Sequence, residues 1–87
     1  MAIVLTATAP SRELYDQVSG KIGAEIAPGL IVHTASEVDG VVRIVDIWES
    51  ADHAMAFARD RLGPAIAAVG ADMNPPEITE VFDLQRP

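Results

Sequence analysis

Cysteine is absent from the chain, so neither a disulfide nor a thiolate-held metal can brace it. Cations are scarce as well. Six Lys and Arg stand against thirteen Asp and Glu, a net charge of −7. Phosphate backbones are held by basic patches, so this balance excludes nucleic acid as an expected partner. No apolar run approaches the roughly 20 residues of a membrane-spanning helix. Met1-Ala2-Ile3 also lacks the basic start of a signal peptide. The expectation is a soluble cytoplasmic protein that does not engage a membrane. A Gly-rich phosphate loop, a Ser nucleophile elbow and carboxylate or His-x-x-His clusters of metal-ligand spacing are all missing. Nucleotide, flavin and metal therefore have no residue-level support, and no cofactor is expected.

What the chain does contain is a dominant hairpin. Two apolar, β-branched runs, Gly29 to Val38 and Val41 to Ser50, flank Asp39-Gly40. Both central residues of a type I′ turn need positive φ, which Gly tolerates freely and Asp better than most. With a two-residue loop, Val38 faces Val41, His33 faces Asp46 and Ile31 faces Trp48. A four-residue loop keeps that register. A three-residue loop with Gly40 in a bulge would instead pair His33 with Val45. In the first register Ile31, His33, Ala35, Ile44, Asp46 and Trp48 share one face. Leu30, Val32, Thr34, Arg43, Val45 and Ile47 share the other, which is mostly aliphatic and reads as the core side.

Around the hairpin the chain reads as one domain, residues 1–87. Ala2 to Thr8 is β-prone and is stopped by Ala9-Pro10. Ser11 is a suitable N-cap, and Glu13 complements the dipole of the helix that follows. Leu14, Val18, Ile22 and Ile26 recur every four residues along that helix, which Pro28-Gly29 ends. Ser50 caps a second helix whose inner side is Ala54, Phe57, Ala58, Leu62, Ile66 and Val69. Gly63-Pro64 must kink or split it, because proline removes a backbone donor and clashes with the previous turn. Asn74-Pro75-Pro76 leads into a last strand, Glu77 to Leu84. The order β-α-β-β-α-β is that of an α+β, ferredoxin-like sandwich, with a four-stranded antiparallel sheet covered by helices on one face. The bare face, taken to carry Ile31, Ile44 and Trp48, is too apolar for open water. Forty-nine per cent hydrophobic residues in a small, unstapled chain point to a homodimer that buries it.

Pro28-Gly29-Leu30-Ile31-Val32-His33, a gap of hairpin length, and then Val45-Asp46-Ile47-Trp48-Glu49-Ser50 opening a helix resemble the dimeric α/β-barrel superfamily. The resemblance is to its antibiotic-biosynthesis-monooxygenase-like group. It implies two ferredoxin-like subunits closing a barrel, with a ligand cavity in each. Some members oxidise polycyclic aromatic substrates without metal or flavin, whereas others degrade haem, act as isomerases or cyclases, or have no known activity. The resemblance puts Trp48 in the cavity, and Ile31, Ile44, Tyr15 and Phe57 are the further ligand-lining candidates. Phe57 stands where many relatives carry His. The only His of the second helix is His53, in its first turn, which argues against an iron-ligated haem.

The site reading rests on His33 and Asp46. A carboxylate beside an imidazole holds its tautomer and makes it a better general base, as in the last two members of a hydrolase triad. The plainer alternative is a self-satisfying polar pair at the dimer interface. Tyr15, one residue off the Leu14 stripe, fits ordinary helix-edge packing, although its hydroxyl could reach the barrel mouth. His53, and Arg59 and Arg61 with Asp60, read as solvated. Glu80 shares strand parity with Ile78, Phe82 and Leu84, so it needs an edge position or a partner subunit to solvate it. The leading expectation is a small monooxygenase-like enzyme taking a proton from an aromatic or polyketide-like molecule, with Trp48 stacking on it. A cyclase or isomerase, a non-catalytic ligand-binding or stress-response barrel, and a structural dimer with a filled lumen are the alternatives.

Overall fold

The computed structural model describes residues 1–71 and 75–86. The strands β1 (Ile3–Ala9), β2 (Leu30–Val38), β3 (Val41–Trp48) and β4 (Glu77–Glu80) form one antiparallel sheet in the order β2-β3-β1-β4. With α1 (Arg12–Ile22), α2 (Ala51–Phe57) and α3 (Gly63–Ala68), this is the expected α+β, ferredoxin-like arrangement. Asn74 of the expected Asn74-Pro75-Pro76 lead-in lies outside the described residues.

The hairpin turns on Asp39 (φ 52°) and Gly40 (φ 82°), the paired positive values of a type I′ turn. Val38 opposes Val41, and the register of the two-residue loop runs unbroken back to His33 opposite Asp46. Beyond Val32 it slips. A bulge at Ile31 puts Leu30, not Ile31, opposite Trp48, correcting the expected pairing.

The helices cover the face carrying His33 and Asp46, which reverses the expected assignment of core and bare sides. Ile3, Leu5, Trp48, Ala27 and Ala54 form a buried cluster, with Leu30, Ala51 and Phe57 packed against it. Trp48 and Val42 are almost completely buried. Alternation separates a strand into two faces but does not say which one the helices take. Burying the one Trp, the largest apolar surface available, under α2 outweighs the aliphatic content of the opposite face. The helix-free face consequently bears Val4, Thr6, Val32, Thr34, Val45 and Ile47, with Ile44 and Trp48 directed the other way.

Ser11 caps α1 by accepting the Leu14 N–H at 3.1 Å. The helix ends at Gly23, before Pro28-Gly29 is reached, so Ile26 lies beyond it and is exposed. Ser50 caps α2 by accepting the His53 N–H. Between α2 and α3 the chain passes through a π-helical turn, Ala58–Leu62, ahead of Pro64. In the widened turn the Gly63 N–H donates to the Ala58 carbonyl, and Pro64 falls in the first turn of α3, where a missing donor costs least. Strand β4 is shorter than the expected Glu77 to Leu84. Glu80 pairs with Ile3 and the Val81 N–H donates to Ala2, where β1 has run out of partners. Glu80 is accordingly exposed on an edge strand.

Candidate functional site

Three side chains from three elements meet between α1 and the sheet. His33 on β2 and Asp46 on β3 are directly cross-strand, so their side chains leave the same face side by side. The distance from His33 Nδ1 to Asp46 Oδ1 is 2.6 Å. On the far side of the ring, His33 Nε2 lies 2.8 Å from the Tyr15 hydroxyl, which α1 lowers onto β2. The two rings are only 4° from parallel, with centroids 6.3 Å apart. An ionised carboxylate can only accept, so Nδ1 carries the hydrogen and Nε2 of the neutral ring accepts from Tyr15 O–H. Helix-edge packing alone therefore does not describe Tyr15.

Of the three, His33 is the most exposed, Tyr15 is half-buried and Asp46 is buried. The Asp46 side chain is 9% exposed and that of His33 42%. Burial drives the Asp46 carboxyl above its ordinary value, because the charged form loses water. His33, the Thr34 backbone N–H and the Trp48 indole oppose that rise without cancelling it. Trp48 Nε1 is close enough to favour the charge, yet it makes no hydrogen bond of good geometry and is buried without a partner. The Tyr15 hydroxyl is also raised, first by burial, then by the negative charges of Asp46 and Asp16, with Arg12 pulling the other way.

A cleft of about 140 Å³ opens beside Tyr15, lined by Arg12, Tyr15, Ala35, Ser36, Glu37 and Val42. At the ~30 Å³ that a liquid water occupies, this is space for roughly five waters, or one small ring. Of the hydrogen-bonded series only Tyr15 borders it. Ile31, Ile44, Trp48 and Phe57 do not line this cleft. Trp48 instead packs on Phe57 inside the core, with ring centroids 5.2 Å apart. Arg12, Ser36, Glu37 and Val42 escaped the sequence reading, which placed Ala35 only on the His33 face, although a signal existed. Ala35 and Glu37 share strand parity with His33, and Arg12 precedes Tyr15 by three residues on α1.

One other expectation changes. Arg61 is not simply solvated: its guanidinium donates to the Ile22 and Glu25 carbonyls and lies over the Phe57 ring, closing the frayed end of α1. Arg59 and Asp60 do form an exposed pair. His53 is exposed, with its Nδ1 2.7 Å from Ser50 Oγ. Among the described residues no three His, Asp or Glu side chains gather in a metal-holding group. No described helix is long and apolar enough to cross a membrane.

Neither a family model nor a curated protein sequence matches the chain. Solved structures do. A candidate antibiotic biosynthesis monooxygenase from Chloroflexus aurantiacus superposes with a TM-score of 0.72 at 14% identity, covering 99% of this chain and 98% of that one. A second candidate of that description, from Caulobacter crescentus, gives 0.64 at 21% identity, covering 97% and 91%. SnoaB, a cofactor-independent oxygenase from Streptomyces nogalater, gives 0.53 at 15% identity, covering 98% and 92%.

Proposed function

From a chain that has the fold of the antibiotic-biosynthesis-monooxygenase-like α/β barrels, we propose a small cytoplasmic, cofactor-independent enzyme that takes a proton from an aromatic or polyketide-like molecule. His33 is the base that accepts the proton, and Asp46 stabilises the imidazolium that forms. The proton comes from an acidic phenol or an activated carbon, leaving a resonance-stabilised anion. That anion can react with dioxygen or close a ring. One ring of the substrate sits in the cleft beside Tyr15, and the others project from its mouth.

One observation carries this reading: the unbroken series Asp46–His33–Tyr15, which runs from a buried carboxylate to the hydroxyl of a residue that borders the cleft. A proton entering at the cleft has a path to a group whose charge is already compensated. The description of SnoaB as a cofactor-independent oxygenase on the same fold agrees with it. The exposed Val32 and Val41 on the helix-free face support a homodimer in which two such faces pack together.

A second reading is favoured by the same hydrogen bonds. Both ring nitrogens of His33 already have partners, as in a self-satisfied network that only lines a binding pocket. Exchange of activated protons separates the two. The purified protein is mixed in D2O with 2-tetralone or anthrone, whose benzylic C–H bonds are acidified by conjugation with a carbonyl, and loss of the C–H signal is followed by NMR. Exchange faster than in buffer, and slowed about 10²-fold or more in His33→Ala, is expected. Rates equal to buffer on both probes support the binding-only reading.

A further inference from the structure

His33 does not meet the cleft. Its Nε2 lone pair is taken by the Tyr15 hydroxyl at 2.8 Å, and its Nδ1 is turned inward to Asp46. A substrate in the cleft beside Arg12, Ala35, Ser36, Glu37 and Val42 touches Tyr15 instead. The Tyr15 oxygen donates its one hydrogen to Nε2 and keeps its lone pairs free to accept a second partner. A neutral phenol is a weak base by itself. It becomes an effective one if its own proton leaves as the new one arrives, and Nε2 is already within hydrogen-bond distance to receive it.

We propose that Tyr15 is the catalytic residue of this site: its Oη takes the substrate proton while the proton it carried passes to His33 Nε2. This rests on the proton-abstraction reading above and moves its point of contact from the imidazole to the phenol. The balance is simple. The substrate C–H or O–H bond breaks and leaves its electron pair on the substrate; a new O–H bond forms on Tyr15 as the old one breaks; and an N–H bond forms on His33. Nothing is oxidised or reduced. The products are a substrate anion and an imidazolium beside the Asp46 carboxylate. His33 and Asp46 act through Tyr15 and are positioning and relay groups. The charged or titratable groups around Tyr15 are His33 and Asp46 on the sheet, Arg12 and Asp16 on its own helix, and Glu37 across the cleft.

The same D2O exchange, with 2-tetralone as the probe, tests this on four proteins. Tyr15→Phe keeps the ring and the packing and removes the oxygen alone. It is expected to lose about 10²-fold or more, as much as His33→Ala, and the double variant should lose no more than either, since groups acting as one unit are not additive. Added imidazole should restore part of the rate to His33→Ala, whose half-exposed ring leaves an accessible gap, and none to the double variant. If Tyr15→Phe keeps the wild-type rate while His33→Ala loses it, or if imidazole rescues the double variant equally, His33 works directly on the substrate. This proposal then falls and proton abstraction stands. If the wild-type protein itself matches buffer, both fall.

Discussion

Asp46 and His33 are joined at 2.6 Å across two neighbouring strands, and the carboxylate is the deeper partner by a wide margin. The carboxylate is thus the group whose environment changes most on folding, and the imidazole is the one that remains near solvent. That order suits a relay in which charge is held inside and protons are exchanged outside.

The first prediction follows from the raised Asp46 carboxyl. Its folded value lies above the unfolded value of about 3.9. Between the two, the native state binds more protons than the unfolded one, so stability falls as pH rises through that window. The contribution is complete below pH ~4 and lost once the folded value is passed. Asp46→Asn has no such titration. Its stability relative to wild type should therefore improve as pH rises from 4 towards 6, measured by urea unfolding at each pH. A relative decline over that range contradicts the assignment.

Tyr15 is the only tyrosine in the chain, so ultraviolet absorbance of tyrosinate reports it alone. It should titrate above the ordinary value of about 10, from burial first and the Asp46 charge second. Asp46→Asn removes the second cause and should bring the midpoint down while leaving it raised by burial. A wild-type midpoint at or below the ordinary value would refute this picture of the site.

Gly29 carries the turn into β2 with φ 85°, and a side-chain carbon there would overlap the ring of His53. Gly29→Ala should cost about 1–3 kcal/mol from backbone strain and collision. Combining it with His53→Ala should recover the part due to collision and not the part due to φ. The coupling is read from a double-mutant cycle in thermal or urea unfolding. Additive effects would mean that the ring simply swings away.

Trp48 fills the core between Ile3, Leu30, Ala54 and Phe57. Trp48→Ala should cost about 3–5 kcal/mol, as for other large-to-small core changes. Trp48→Phe should cost much less, because it loses only part of the volume and an indole N–H that has no hydrogen bond. Chemical denaturation checks both. Were the two variants equally destabilised, the indole nitrogen would be contributing more than its geometry allows.

Sedimentation at low micromolar concentration should give twice the 9.2 kDa chain mass, with the helix-free face buried between copies. Val32→Lys, on that face and 46% exposed in the single subunit, should shift the equilibrium towards monomer. A stable wild-type monomer rules out the closed barrel.

The amino-acid sequence by itself determined the turn, the register and the element order. Asp39-Gly40 needs two positive φ values, and with both residues in the loop every pairing back to His33 and Asp46 is set by counting. Ser11 and Ser50 announce the two helix starts through local hydrogen bonds that need no tertiary partner. The tertiary structure alone decided which side of the sheet faces the helices. Period-two alternation is symmetric between faces, and the bulge at Ile31 exchanged Leu30 for Ile31 beside Trp48. It also decided where β4 stops, because a strand persists only as far as its neighbour does. Tyr15 belongs to this second group. It lies 18 positions from His33, and nothing in local propensity reports a hydroxyl and an imidazole that meet only when α1 packs across β2.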